Sequence, residues 1–282
     1  MTTSANHTRF EKIRISGWTM HVSSDFPKAS IHSLSQPTDE VDGVRGPFNE
    51  VEASEYARVF KCSVGFGGRC QNLYIKQFLF RSAWDFVKHL FRPSRARRAF
   101  SGSMTLAEHG FCVPEIVGLG EQRYGPVCTS NFLITRELTG ADNLYDHFDG
   151  NWRGQSPQVL CDKRRFIRAL GETVGRMHRE GIFHGDMRAG NVFAKSAEAT
   201  WQFFFLDNER TRKFGLLPGR LRLKNLVQLN MLSGQNITVT DRMRFFEAYL
   251  AHNGHLRGKW KELIIRVVGK TRQRLQDSPS AG

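Results

Sequence analysis

The sequence lacks the features of several common classes of protein. Its five cysteines are scattered and contain no Cys-x-x-Cys pair, so neither a zinc site nor a redox motif is indicated. The first thirty residues lack the apolar run of a signal peptide, and the apolar stretch at 203–206 is far too short to span a bilayer. We therefore expect a cytoplasmic protein in a reducing compartment.

Acidic residues are too few to balance the basic ones. Lys and Arg number 41 against 27 Asp and Glu, and the isoelectric point is about 10.0. Such an excess attracts polyanions, which are nucleic acid, an anionic membrane face or a phosphorylated substrate. Zinc-finger, RNP and helix-turn-helix signatures are missing, so nucleic acid is not favoured as the partner. Nothing in the sequence indicates an oligomeric state.

Strand patterns come first along the chain and helical patterns follow. Alternating and β-branched residues predict strands over 13–23, 56–64, 72–78 and 132–138. A helix is predicted over 95–109, a short helix and a loop over 141–160, and helical spacing dominates from 161. We predict an α+β fold with three parts, which are a flexible tail over 1–12, a β-rich N-lobe over 13–138 and an α-helical C-lobe over 139–282.

The strongest functional signal is the segment His-Gly-Asp-Met-Arg-Ala-Gly-Asn at 184–191. Phosphoryl transfer from ATP needs a carboxylate at the attacking hydroxyl, an amide and a second carboxylate for magnesium, and a lysine for the phosphates. Asp186 and Asn191 stand at the two ends of this loop, and Asp207 follows the next apolar run. Lys76 lies in a predicted strand upstream. Each part alone can arise by chance, but together the parts occur along the chain in the order that is typical of kinases.

The His-Gly-Asp form of the loop is typical of aminoglycoside and lipopolysaccharide kinases, since protein kinases usually carry Arg between His and Asp. From about 56 to 250 the chain resembles the Kdo/WaaP lipopolysaccharide kinase family. The stretches that carry the resemblance are 90–100, 110–114, 177–186, 206–210, 226–230 and 244–250. The resemblance implies a protein-kinase-like bilobal fold, ATP and Mg²⁺ as cofactors, and Kdo or a heptose of the lipopolysaccharide core as the acceptor.

The resemblance also implies a role for each site residue. Asp186 is expected to be the catalytic base for a sugar hydroxyl, and Arg188 is expected to contact the γ-phosphate. Asn191 and Asp207 are the expected magnesium ligands, and Lys76 is expected to hold the α- and β-phosphates. These roles predict an ATP-dependent kinase that phosphorylates an alcohol group.

Two parts of the kinase pattern are less direct, and one residue of the loop has a structural role. The glycines within 65–68 lie too close to Lys76 for a phosphate loop, so we interpret them as a hairpin and place the nucleotide-covering loop within about 46–57. Glu108 is the candidate partner of Lys76, but a solvated charge at a helix end explains it equally well. His184 is interpreted as a scaffold residue that fixes the loop through hydrogen bonds.

Two segments combine cations with apolar residues. In 81–98, four arginines lie within seven residues (Arg92, Arg95, Arg97 and Arg98), and we interpret this segment as a contact with an anionic membrane surface. The segment 259–276 fits either a membrane contact or an amphipathic helix packed on its own lobe. Together with the lipid-linked acceptor, these segments predict a peripheral protein on the inner membrane.

One alternative to the enzyme stays open. A pseudokinase or a membrane-surface binding module would keep the fold without turnover. The complete set of Lys76, Asp186, Asn191 and Asp207 favours the enzyme, because a chain freed from catalysis need not keep all four.

Overall fold

A computed structural model describes residues 9–15, 17–26, 44–51, 55–66, 69–80, 92–150, 152, 156–197, 200–232 and 237–277. The chain divides into two compact units. Unit 1 comprises Met1–Met104 and Pro114–Thr139, and unit 2 comprises Thr105–Val113 and Gly140–Gly282. Unit 1 is mostly β-sheet and unit 2 is mostly helical, which confirms the predicted α+β fold class.

Unit 1 contains a seven-stranded antiparallel sheet in the order β1-β2-β6-β7-β5-β4-β3. Its strands are β1 (Phe10–Ile15), β2 (Trp18–Ser23), β3 (Val44–Val51), β4 (Ala57–Phe66), β5 (Arg69–Phe78), β6 (Ile116–Tyr124) and β7 (Val127–Arg136). The predicted single strand over 13–23 is a hairpin, because Gly17 takes a positive φ of 81° and reverses the chain. Residues 10–12 belong to β1 rather than to a tail, and residues 1–8 lie outside the described part.

The glycine cluster joins two paired strands, as predicted. Strands β4 and β5 pair antiparallel up to Phe66 and Arg69, while Gly67 and Gly68 lie outside the described residues. Strand β3 covers part of the range predicted for the nucleotide-covering loop, and 52–54 of that range are not described. That placement stays a prediction.

Helix α1 (Arg95–Glu108) packs on one face of the sheet through a small apolar cluster. The cluster consists of Phe78, Ala96, Ala99, Ile116, Leu119 and Leu133. Leu73 and Ile75 belong to a separate cluster on the opposite face. Side chains two residues apart on a strand share a face, so Lys76 lies on the same face as Phe78. Its Nζ lies 5.4 Å from the centre of that ring.

The arginines at the start of α1 stabilise the fold of unit 1, which corrects part of the membrane interpretation. Arg95 is 6% exposed, and its Nη1 donates to the carbonyl oxygens of Tyr56 (2.7 Å) and Leu79 (3.2 Å). Arg97 forms an ion pair of 2.5 Å with Glu121, which is almost fully buried. Breaking such buried contacts destabilises a fold, so replacing these arginines would not test membrane binding.

Unit 2 surrounds one large apolar core. Its elements are β8 (Asp142–Asn143), α2 (Leu144–Gly150), α3 (Pro157–Arg179), β9 (Ile182–Phe183), β10 (Val192–Ala197), β11 (Thr200–Phe205), β12 (Arg212–Lys213), α4 (Gly219–Asn230), α5 (Val239–His252) and α6 (Trp260–Asp277). Helix α3 begins before the predicted position, because Ser156 accepts a hydrogen bond from the Val159 amide and Pro157 suits the first turn. A Cβ at Gly171 or Gly175 would overlap the backbone of α5, so these two glycines permit the close packing of α3 and α5.

Helix α6 has the amphipathic character that its sequence suggests. Trp260, Leu263, Ile264 and Val267 pack against the core of unit 2. This packing agrees with the interpretation of 259–276 as a helix packed on its own lobe, while its cations lie on the exposed side. In the described ranges, no helix has both the length and the apolar character needed to cross a membrane.

Candidate active site

The loop that follows β9 carries the kinase motif of unit 2. It ends in a short 3-10 helix, Ala189–Asn191, which leads directly into β10. Strands β10 and β11 form a hairpin, and the backbone N–H of Leu206, after β11, donates to the carbonyl oxygen of Asn191 at 2.9 Å. Asp207 therefore follows the residue that is bonded to the end of the loop. The fold places Asp186, Asn191 and Asp207 at the same end of this hairpin.

The carboxylate of Asp186 is held by three side-chain donors. Its Oδ1 accepts from Nε of Arg188 at 2.8 Å and from Nε2 of Gln228 at 3.0 Å, and its Oδ2 accepts from Nδ2 of Asn191 at 3.1 Å. A carboxylate offers about four lone-pair positions. The described neighbours thus leave room on Oδ2 for one more donor, and the side chain is 20% exposed. Asp186 can accept a hydrogen bond from an incoming hydroxyl.

Asn191 and Asp207 supply oxygen atoms of the kind that magnesium prefers. The Nδ2 of Asn191 is used by the carbonyl oxygen and Oδ2 of Asp186, which leaves Oδ1 of the amide for a cation. Asp207 has φ 56° and ψ 49°, and no other non-glycine residue in the described segments has a positive φ. Such strained backbone concentrates at active sites. An amide oxygen and a nearby carboxylate fit a magnesium ion.

His184 is a buried structural residue, as interpreted from the sequence. Its Nδ1 accepts from the backbone N–H of Asp186 at 3.3 Å, and its Nε2 donates towards Leu206 O (3.0 Å) and Asn208 Oδ1 (2.9 Å). Burial is the largest influence and lowers the pKa of His184 below its usual value. The two hydrogen-bond partners and the nearby carboxylates oppose this shift only in part. The neutral ring thus joins the loop to the segment that carries Asp207.

Gly185 fills the position where protein kinases usually carry Arg. A Cβ at this position would overlap the backbone and Cβ of Arg210. The segment after Asp207 therefore packs directly against the loop, and only glycine fits between them. This close approach explains why the residue between His184 and Asp186 is a glycine.

Two amide side chains of α4 support the loop, and the sequence did not reveal their roles. Asn225 accepts from the backbone N–H of His184 at 3.2 Å and donates to its carbonyl oxygen at 2.5 Å. Gln228 accepts from the backbone N–H of Met187 at 3.3 Å while it donates to Asp186. Their spacing of three residues places both on one face of α4. The signal available in the sequence was a pair of amide residues at a spacing that places them on one face of a helix.

A buried polar network continues from Asn225 into the helical core. His178 contacts Asn225 Oδ1 through Nε2 at 3.2 Å and the hydroxyl of Tyr249 through Nδ1 at 3.0 Å. Arg222 donates to the same hydroxyl at 2.5 Å. Burial and the Arg222 charge lower the pKa of His178 to about 3, so the ring is neutral at physiological pH. Side chains of helices α3, α4 and α5 therefore form the network that supports the loop.

Lys76 lies in unit 1, on β5 between Val59 of β4 and Leu133 of β7. Its proposed partner Glu108 is exposed at the end of α1, in the part of that helix that belongs to unit 2. A pair between these two residues stays a prediction. Within unit 1, α1 forms an ion pair with the buried acid Glu121 through Arg97.

Comparison with known proteins identifies relatives. The family model described as "Lipopolysaccharide kinase (Kdo/WaaP) family" matches residues 49–249. The chain is 25% identical to the lipopolysaccharide core heptose(I) kinase WaaP of Pseudomonas aeruginosa over 74% of this chain and 75% of that protein. It is also 25% identical to the Escherichia coli protein of the same name, over 80% of this chain and 85% of that protein.

The fold agrees with these matches. A solved structure of WaaP in complex with acyl carrier protein has a TM-score of 0.59 and 20% identity, and it covers 82% of this chain and 89% of that one. The family match spans well over half of the sequence and includes both Lys76 and the loop with Asp186. The chain belongs to the lipopolysaccharide kinase (Kdo/WaaP) family.

Proposed function

We propose that this protein transfers the γ-phosphate of ATP to a hydroxyl of a sugar in the lipopolysaccharide core. The observation that carries the proposal is the Asp186 carboxylate, which is held by Arg188, Asn191 and Gln228 and still has a free position on Oδ2. The names of the two curated relatives favour a heptose over Kdo as the acceptor.

In the proposed mechanism, the acceptor hydroxyl donates to Oδ2 of Asp186, which takes its proton as the oxygen bonds to the γ-phosphorus. The bond from that phosphorus to the oxygen of the β-phosphate breaks in the same step, and ADP leaves. Arg188 holds Oδ1 and has a side chain that is 65% exposed, so its free N–H groups are available to the γ-phosphate. Asn191 and Asp207 would hold magnesium, which when bound neutralises phosphate charge. Lys76 is proposed to bind the α- and β-phosphates.

The alternative is a pseudokinase that keeps the fold without turnover. Magnesium-dependent hydrolysis of ATP by the purified protein separates the two, because water replaces the sugar at Asp186 only in a competent site. An enzyme should hydrolyse ATP slowly with magnesium and stop when the metal is chelated. A protein that binds magnesium-ATP without any turnover, with or without the lipopolysaccharide core, is a pseudokinase.

We predict that Gln228 sets the position of the catalytic carboxylate. Gln228→Glu places a second carboxylate beside Asp186, and like charges raise the pKa of a carboxyl group. The acidic limb of the kcat/KM profile should therefore move to higher pH, with magnesium-ATP affinity nearly unchanged. Gln228→Leu should lower kcat without that shift. If Gln228→Glu retains the wild-type pH profile, Gln228 serves the fold alone.

Membrane association and inner-membrane localisation are also proposed. The described residues that support them are exposed cations on and beside α6, with Ile265 of that helix 71% exposed. A surface of this kind binds anionic head groups. Ile265→Ser combined with Lys261→Gln and Arg266→Gln should weaken binding to vesicles with anionic lipid but not to neutral vesicles. Unchanged sedimentation with anionic vesicles would exclude this surface.

An acyl carrier protein is a second proposed partner, because one solved relative is a complex with it. Unit 2 contains a cavity of about 370 Å³ lined mainly by apolar side chains of α2 to α6, including Phe148, Leu170 and Phe246. Exposed Val239 and Met243 line it too, so the cavity reaches the surface. Such a volume and lining suit an alkyl chain. Leu170→Trp should reduce co-purification of acylated, but not of unacylated, carrier protein; equal retention would exclude the cavity.

A further inference from the structure

Several cations gather near Asp186 beyond the one that pairs with it. Arg210 packs its backbone and Cβ against Gly185, the residue before Asp186. Lys224 lies on α4, four residues before Gln228 and therefore on the same helix face. Arg274 lies on α6, which packs against α4. Three segments of unit 2 thus bring positive charge to the surroundings of Lys224.

Lys224 is partly buried in this cluster, with its Nζ 5.5 Å from the ring centre of Phe183. The charge of Asp186 acts on Lys224, and Asp186 already pairs with Arg188. Burial and the neighbouring Arg210 lower the pKa of Lys224, with Arg274 and Arg188 adding to the effect. Three arginines and one carboxylate thus act on Lys224, and a group of cations of this kind favours binding of an anion.

The cluster lies on the side of Asp186 that faces α4. Oδ1 of Asp186 bonds to Gln228 on that helix, whereas Oδ2 bonds to Asn191, the residue proposed to hold magnesium. Lys224 is one turn from Gln228. An anion at Lys224 would thus approach Asp186 from the side of Gln228.

We propose that Lys224 and Arg210 form a subsite for an anionic substituent of the acceptor, a carboxylate or a phosphate ester, next to the hydroxyl that Asp186 activates. The subsite rests on the proposed sugar-kinase function and adds a property of the acceptor to it. A sugar next to a carboxylated or phosphorylated residue of the glycan would be oriented by this contact, while a neutral sugar would not.

Binding of delipidated lipopolysaccharide core in the absence of nucleotide tests the subsite independently of turnover. By calorimetry, Lys224→Gln and Arg210→Gln should each weaken binding about tenfold, the discrimination expected from one lost charged contact. Arg257→Gln, an exposed cation outside the cluster, should bind as the wild type does. The melting temperature of Lys224→Gln should be unchanged or higher, because the change relieves repulsion between like charges.

Modified acceptors identify the group that is bound. The Lys224→Gln penalty should vanish on carboxyl-reduced core if a carboxylate is bound, and on dephosphorylated core if a phosphate ester is bound. Equal binding of intact core by the wild type and both variants would overturn the subsite. A wild type that does not bind intact core, or a penalty that persists on core lacking both groups, would also overturn it.

The nucleotide serves as the remaining control. Magnesium-ATP affinity should be the same in the wild type and in Lys224→Gln; a parallel loss would place Lys224 at the nucleotide and overturn the proposal. If the wild type binds core through Lys224 but transfers no phosphate, the proposed kinase function fails while the subsite stands.

Discussion

Asp186→Asn is expected to lower kcat by about 10²- to 10⁴-fold, the range that a positioned general base contributes. Magnesium-ATP affinity should be nearly unchanged, because the phosphates are assigned to other groups. The amide can still accept from Arg188 and Gln228 through its oxygen, but its NH₂ group would face Nδ2 of Asn191. Steady-state kinetics and calorimetry with the same preparation measure the two quantities.

The control for this variant is a carboxylate of similar size outside the site. Asp162 is exposed on α3 and contacts Gln158 and Arg165 of the same helix. Asp162→Asn should leave kcat and affinity unchanged. Thermal unfolding of Asp186→Asn must remain cooperative and near that of the wild type. Near-native turnover of Asp186→Asn would show that Asp186 is not the catalytic base.

Removing the carboxylate of Asp207 is expected to abolish magnesium-dependent binding of ATP. The loss should be at least the roughly 10- to 100-fold that removing a neighbouring hydrogen-bond partner costs a metal site. Asn is a better replacement for Asp207 than Ala is, because the backbone at this position is left-handed (φ 56°) and Asn tolerates that conformation. Calorimetry with ATP at increasing magnesium concentration measures the effect.

Asp207→Gly separates the backbone from the carboxylate. Glycine adopts a positive φ without strain, so this variant keeps the left-handed backbone and removes only the side chain. It should nevertheless lose magnesium-dependent ATP binding as completely as Asp207→Asn does. Unchanged affinity in both variants would show that Asp207 is not a metal ligand and that the kinase alignment is wrong after Asn191.

The sequence predicted the elements whose signals are local. Alternation predicted β4, β5 and β7, and the spacing from His184 to Asn191 predicted a loop that the structure places beside Asp207. The hairpin of β1 and β2 was missed because Gly17 lies within an alternating stretch that reads as one strand, and only its positive φ reverses the chain.

Contacts between distant parts of the chain were not predictable in the same way. Gln228 bonds to Asp186, which lies 42 residues away in the sequence, and Arg95 bonds to Tyr56, which lies 39 residues away. No rule of sequence spacing connects either pair. The composition of α1 suggested a cationic surface, because a buried arginine and a solvated one look alike in a sequence. Backbone carbonyl acceptors and Glu121 determine that Arg95 and Arg97 belong to the fold.

We propose that this protein phosphorylates a sugar of the lipopolysaccharide core. The most direct test incubates purified protein with magnesium, ATP labelled at the γ-phosphate and dephosphorylated core, and analyses the glycan by mass spectrometry. With the wild type and with Asp162→Asn, we expect one added phosphate, carrying the label, on a core sugar; with Asp186→Asn we expect none. A wild type that binds magnesium-ATP and core yet leaves the glycan unlabelled would contradict the proposed function.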